Sequence, residues 1–254
     1  SLEVGGGKGA NLSRLVRAGF EVPIGFIIPT QAYRDHLAAN QIDHWVLECV
    51  RSLCVDDLDE VEETSAAIRE RFAALAIEAP LADAIRAAYG ALGSPPVAVR
   101  SSATTEDLPD LSFAGQQETL LNVTGDTDLL KAVVQCWSSL WTARAIAYRS
   151  RNGIAHEDAA LAVVVQRMVP SEVAGVLFTA NPLSGKRTET VIESAHGLGE
   201  ALVSGSVEPD RYIVDAAAHR VIERHAGAGG GTTLTDEEAL DMLDLESDMR
   251  RALT

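Results

Sequence analysis

The stretch VAVRSSATTEDLPDLSFAGQQETLLNV, residues 97–123, joins two short apolar runs through a long polar segment. VAVR reads as a compact strand that ends on Arg100. The residues after it, Ser101 to Asp107, are mostly small and polar and unsuited to a core. An arginine at a strand end beside hydroxyls is suited to gripping a phosphate bidentately, and it serves equally as half of a structural ion pair. Ala114 and Gly115 then sit between strand-like flanks. They form either an ordinary hairpin or a glycine-turn lid whose N–H groups cover phosphates.

A second candidate phosphate element begins the chain, SLEVGGGKGANLSRL, residues 1–15. A glycine cluster feeding a helix N-terminus presents backbone N–H groups and a positive dipole end to an anion. The P-loop requires Ser or Thr after its lysine, but Gly9 follows Lys8. The dinucleotide fingerprint is loosely matched by Gly5, Gly7 and Ala10, with too few residues before it for a first strand. A plain glycine turn leading into a helix fits as well. Leu12, Leu15 and Val16 have helical spacing, and Gly19 stands where a C-terminal cap belongs.

The 254 residues suffice for one large domain or two lobes. A mean hydropathy of +0.06 describes a soluble globular protein. The net charge of −16 argues against nucleic-acid binding, which relies on Lys and Arg clusters. It leaves room for a phosphate ligand, because a pocket needs only a few placed cations. Cys49, Cys54 and Cys136 form no CxxC pair, which suits a reducing compartment. No apolar run approaches the ~20 residues of a membrane helix, and no signal segment opens the chain. The expectation is a cytoplasmic protein with no membrane partner.

VPIGFIIP reads as a short strand, with Thr30 capping the helix QAYRDHLAAN. Residues 42–92 are helical in pattern, with the acidic run DDLDEVEE at a solvated helix start. DLLKAVVQCWSSLWTARAIAYRSRNG reads as one long amphipathic helix whose Trp137, Leu140 and Trp141 pack in the core. LAVVVQRMV, VAGVLFT, ETVIESA, DRYIVD and HRVIERH are strands. AGAGGGT reads as a mobile linker, and Thr235 with Glu238 forms a capping box for a last helix. The pattern is α+β. QRMV, closing a buried strand before Pro170, is either simple core or an adenine edge offering backbone groups and a methionine. In ESAHGLGEALVSG, Glu193 and Glu200 flank glycine turns in a manner suited to Mg²⁺, and His196 is a candidate ligand or acid/base.

In this order, GGKGANL, VAVRSSATTEDLPDLSFAGQQETLLNV, WTARAIAYR, QRMV, AGVLFTANP and GLGEALVSG resemble the N-terminal ATP-binding domain of the PEP synthase/pyruvate phosphate dikinase family, with a lean toward its rifampicin phosphotransferases. The resemblance runs from Val4 to about Val214. It implies an ATP-grasp-like, two-lobe nucleotide-binding domain, with lobes at 1–167 and 168–254. It implies ATP and Mg²⁺ as cofactors. Lys8 and Arg100 match cations on the ATP phosphates; Gly115 and Gln116 match the lid, with Thr119 nearby. Gln166, Met168 and Val169 match the adenine hinge, and Glu172 a ribose contact. Thr179, Asn181, Glu193 and Glu200 match positions facing the phosphates.

The family's Ile-Glu-Trp and Gln-(Ala or Ser)-Arg-Pro strands, which carry its metal ligands and a further arginine, have no counterpart here. The segment after Val214 is shortened. None of His36, His44, His156, His196, His219 or His225 lies in the family's Thr-Ser-His-Ala phosphohistidine context. The expectation is therefore a domain truncated at its C-terminus and inactive alone, with no metal site of its own. Its partners would be a phosphohistidine domain and a substrate-binding domain. In the family, ATP becomes AMP and phosphate, and the β-phosphoryl passes through histidine to pyruvate or an antibiotic hydroxyl. Two alternatives stand beside this reading: a non-catalytic interaction or regulatory module, and an ATP-grasp carboxylate–amine ligase releasing ADP. The final acceptor and the oligomeric state are not encoded in these motifs.

Overall fold

The computed structural model describes residues 1–103, 118–229 and 232–253. It divides into two compact units, Ser1–Met168 and Val169–Thr254. Both are α+β, each built on one four-stranded antiparallel sheet.

The sheet of the first unit contains β1 (Gly25–Ile28), β2 (Val97–Ala103), β3 (Thr119–Val123) and β4 (Leu161–Arg167), in the order β1-β4-β2-β3. Side chains alternate between its faces. Phe26, Ile28, Val97, Val99, Leu161, Val163 and Val165 enter the main core. That core is completed by α2 (Thr30–Ala39), α3 (Asp43–Arg51), α4 (Leu58–Ala73), α5 (Ala79–Ala91), α6 (Asp126–Ser138) and α7 (Ala143–Arg151). The opposite face carries Ile27, Ala98, Arg100, Ser102, Val164 and Gln166, and α1 (Leu2–Arg17) lies against it. α1 ends in a Schellman motif: Phe20 N–H donates to Leu15 O at 3.1 Å, Gly19 N–H to Val16 O at 3.1 Å, and Gly19 has φ +88°.

Three local expectations are corrected here. Thr30 does not cap α2; it is the first helical residue, and its hydroxyl donates to Glu3 O at 2.6 Å, tying α2 to α1. The long helix through Trp137 is broken by a single 3₁₀ turn, Ser139–Trp141. Ser138 and Ser139 hydroxyls donate back to Gln135 and Cys136 carbonyls, and Thr142 Oγ1 accepts from Ala145 N–H to start α7 afresh. Trp137 and Trp141 are nevertheless buried, as their spacing predicts. Lastly, the glycines near the N-terminus do not precede a helix. Helical turns flank them on both sides, with the interruption at Gly6 (φ 64°, ψ −179°).

A polar cluster is sealed within the helical layer. Trp141 Nε1 donates to Tyr33 Oη at 3.0 Å, and the buried Arg149 guanidinium lies 5.0 Å over the Trp141 ring. Arg149 Nε donates to His156 Nδ1 at 3.0 Å, so that nitrogen must carry a lone pair. Burial, then the Arg149 charge, lowers the His156 pKa to about 4, and burial lowers that of His36 to about 4. The unfolded chain titrates both rings near 6.5 and so binds more protons below that pH. Stability is therefore full above pH 6.5 and is lost as pH falls toward 4. Thermal melts should show a loss of roughly 2 kcal/mol between pH 7 and pH 5, after allowance for the partial exposure of His156. A melting temperature flat across that range would contradict the burial of neutral rings.

The second unit is a meander, β5 (Val173–Phe178), β6 (Glu189–His196), β7 (Asp210–Asp215) and β8 (Arg220–His225), with a short α8 (Gly199–Val203) between β6 and β7. α9 (Asp236–Leu253) covers one face, setting Ala239 and Leu243 against Ile192, Tyr212 and Val214. The capping box forms: Glu238 Oε2 accepts from Thr235 N–H at 2.7 Å, and Thr235 Oγ1 accepts from Glu238 N–H at 3.2 Å.

The supposed linker between β8 and α9 is anchored at both sides. Buried Asp210 accepts from Gly227 N–H at 2.7 Å and from Thr233 N–H at 2.6 Å. Burial by itself would raise the Asp210 pKa, but those two donors prevail and hold it below the usual carboxylate range. Asp210→Asn turns one acceptor oxygen into a donor facing an N–H group. It should destabilise this unit by about 2 kcal/mol in urea unfolding, and an unchanged midpoint would contradict the anchoring role.

Candidate functional site: an anion-ready sheet face

The glycine segment and the strand ending in Arg100 are one construction. Ser102, fully buried, donates its hydroxyl proton to Gly5 O at 2.9 Å and accepts from Gly9 N–H at 3.2 Å. Lys8 Nζ donates to Ser101 O at 3.2 Å. The approach is so close that a Cβ on Gly6 would stand 2.1 Å from Ser102 O. The backbone of α1 is thus pressed onto β2, and the Lys8 ammonium is held one residue beyond Arg100.

Arg100 is partly buried on the face of the sheet opposite the main core. Its Nη1 donates to Gln166 Oε1 at 3.4 Å, a long bond to a neutral group. Gln166 is itself buried, and its Nε2 donates to Pro23 O at 3.3 Å. Thr119 is paired directly with Arg100 across β2 and β3 and is exposed on the same face. Among the described residues no carboxylate pairs with Arg100, which leaves a half-buried guanidinium without a counter-charge there. Lys8, Arg100, Thr119 and Gln166 are therefore gathered on one sheet face. Gly115 and Gln116 lie outside the described residues.

At the end of β4, Met168 N–H donates to Pro96 O at 2.9 Å and extends the β2–β4 ladder. It is consequently not a donor for an adenine. Val169 is half exposed, and among the described residues its N–H has no partner, while its carbonyl accepts from Ser171 N–H at 2.8 Å.

In the second unit, Asn181 is buried and organises the β5–β6 loop. Its Oδ1 accepts from Leu183 N–H at 3.0 Å and Ser184 N–H at 3.1 Å, and its Nδ2 donates to Glu189 Oε2 at 2.7 Å. Glu193 accepts from Arg211 Nε at 2.9 Å and Nη2 at 2.7 Å through one oxygen, the two residues being paired across β6 and β7. Asn181, Glu193 and Arg211 line a hollow of about 520 Å³ on the sheet face not covered by α9, with Glu223 and His225. Glu172, Thr179 and Glu200 are exposed and do not line it. His196 is exposed at the end of β6.

The described residues contain no group of three His, Cys, Asp or Glu side chains able to hold a metal ion. With Glu193 committed to Arg211, these residues do not fit a Mg²⁺ centre by themselves. No helix of the described residues is long and apolar enough to cross a membrane. Sequence reading missed Ser102, Arg211 and Asp210. For Arg211 a signal existed, since Arg211 and Ile213 alternate with the core-facing Tyr212 and Val214. For Ser102 the hydroxyl beside Arg100 was visible, but not its target.

Residues 2–252 match the family described as pyruvate phosphate dikinase, AMP/ATP-binding domain. A probable phosphoenolpyruvate synthase of Archaeoglobus fulgidus is 45% identical over 227 residues, covering 87% of this chain and 30% of that protein. One from Pyrococcus abyssi is 41% identical over 257 residues, covering 86% of this chain and 31% of that protein. A rifampicin phosphotransferase of Streptomyces sviceus is 42% identical over 262 residues, covering 94% and 30%. The chain thus spans about a third of the length of these relatives. Its two antiparallel sheets with flanking helices accord with the ATP-grasp-like architecture expected of such a domain. A family match over nearly the whole chain, with relatives of 41–45% identity across most of it, leads to one assignment: this chain belongs to the pyruvate phosphate dikinase AMP/ATP-binding domain family.

Proposed function

We propose that this chain binds ATP as the nucleotide-binding part of a dikinase-type phosphotransferase, with Lys8 and Arg100 as the cations on the phosphates. The observation that carries the reading is Arg100, a partly buried cation whose side chain meets only a neutral amide among the described residues. Phosphoryl transfer is catalysed mainly by positioning and charge neutralisation, which two pinned cations supply. Thr119 stands beside Arg100, and Gly115 and Gln116 belong to the lid in this reading. Gln166 and the open N–H of Val169 take the adenine edge, with Met168 against the ring. The resemblance gives Glu172 a ribose role and Thr179, Asn181, Glu193 and Glu200 phosphate roles. Asn181 acts through the loop it organises. Mg²⁺ would accompany the nucleotide.

In this reading ATP yields AMP and phosphate, the β-phosphoryl passing to a histidine on a separate domain and then to pyruvate or an antibiotic hydroxyl. Titration calorimetry of the chain with ATP tests the binding. One saturable site is expected, and absence of heat with ATP and with AMP alike would overturn it.

A further inference from the structure

Outside the nucleotide face, the first unit carries a hollow of about 640 Å³ between α4, α5 and α6. Its floor is apolar, with Leu75, Ile77, Leu130 and Val134. Three cations from three helices, Arg69, Arg86 and Lys131, surround it in a chain of net charge −16. Among the described residues, Arg86 and Lys131 are tied only by exposed pairs to Asp83 and Asp128 within their own helices, which hold them weakly.

One element on the same chain is complementary to this hollow. α4 is charge-polarised: Asp57, Asp59, Glu60, Glu62 and Glu63 gather at its start, Arg69 and Arg71 near its end with the single acid Glu70 between them. At 100° per residue, Leu58, Glu62, Ala66, Arg69 and Ala73 fall within one sector of about 80°, beside the buried stripe of Val61, Ser65, Ile68 and Phe72. All five are exposed, and Leu58, flanked by acids, is 67% exposed. Arg69 and Ala73 form one wall of the hollow.

We propose that a second copy of this chain docks on α4 in an antiparallel, two-fold symmetric pair. In that register Leu58 of each copy faces Ala73 of the other and enters its hollow, and Glu62 faces Arg69. The small Ala66 of each copy lies near the axis, where the helices approach. Every contact occurs twice, which is the self-complementarity a two-fold interface requires. The acids around Leu58 meet Arg86 and Lys131 on the opposite rim. A 16-residue helix contributes only roughly 24 Å of contact. The two chains also repel through their net charge, so the pair is weak, with a Kd on the order of 10–100 µM.

Sedimentation velocity from about 1 µM to about 1 mM should show a reversible monomer–dimer equilibrium. Glu62→Arg and Arg69→Glu, each folded with an unchanged melting temperature, should each weaken it roughly tenfold or more, because like charges then meet at both symmetric positions. Mixing the two variants should restore association as a heterodimer visible by native mass spectrometry. The arginine introduced in one variant then faces the glutamate introduced in the other, and the retained Arg69 of the first faces the retained Glu62 of the second. A wild type that stays monomeric throughout overturns the proposal. So does a dimer indifferent to the charge reversals, or a mixture in which no heterodimer forms.

Discussion

Gly6→Ala is expected to destabilise the first unit by about 3–5 kcal/mol and to abolish nucleotide binding with it. Two costs combine. At φ 64° and ψ −179°, Gly6 occupies a region open in practice to glycine alone. A Cβ there would also meet the Ser102 carbonyl oxygen at 2.1 Å and its hydroxyl at 2.4 Å. Both are parts of β2, a central strand that cannot move without disturbing its pairing to β4. The segment must therefore lift away, breaking the Ser102 bonds to Gly5 and Gly9 and releasing Lys8 from Ser101. Chemical unfolding compared with Gly19→Ala separates the two costs, since Gly19 has positive φ but open space around it. Equal losses in both variants would mean that close packing on Ser102 is not the cause.

Arg100→Ala is expected to act in the opposite sense, on binding and not on folding. Removing a half-buried cation that has no carboxylate partner among the described residues should leave the melting temperature unchanged or raise it. The same change should weaken ATP binding by about 2–3 kcal/mol, roughly 30- to 150-fold in Kd. Arg100→Lys should recover only part of the loss, because an ammonium cannot grip two phosphate oxygens in the planar fork of a guanidinium. Unaltered ATP affinity in Arg100→Ala would remove it from the site. A large fall in stability would show that it serves as a structural ion pair.

The contrast between these two residues explains what was legible in the sequence. Arg100 could be singled out locally, because it ends an apolar strand and is followed by residues that cannot form a core. The importance of Gly6 could not, because it depends on Ser102, which lies far along the chain and whose bonds close only when β2 is in place. The Glu193–Arg211 pair was hidden for the same reason, since cross-strand partners are undefined until the register of β6 and β7 is known. Helix periodicity carried through Ser138 and Ser139, where hydroxyls bonding to the preceding turn end α6. Residues 226–232 read as mobile because the Asp210 carboxylate that anchors Gly227 and Thr233 belongs to a strand read only for its apolar pattern. The strands and most helices were legible, because alternation and 3.6-residue spacing are local. The most distinctive part of the sequence, residues 104–117, lies outside the described residues.

In the proposed complex, ATP phosphates settle on the sheet face bearing Lys8 and Arg100. Backbone ¹H–¹⁵N spectra recorded during an ATP titration test it directly. Saturable shifts are expected at Lys8, Arg100, Ser101, Gln166 and Val169, lost in Arg100→Ala while the rest of the spectrum is retained. Shifts confined to other surfaces, such as the hollow beside α4, with these amides unmoved at saturation, would contradict it.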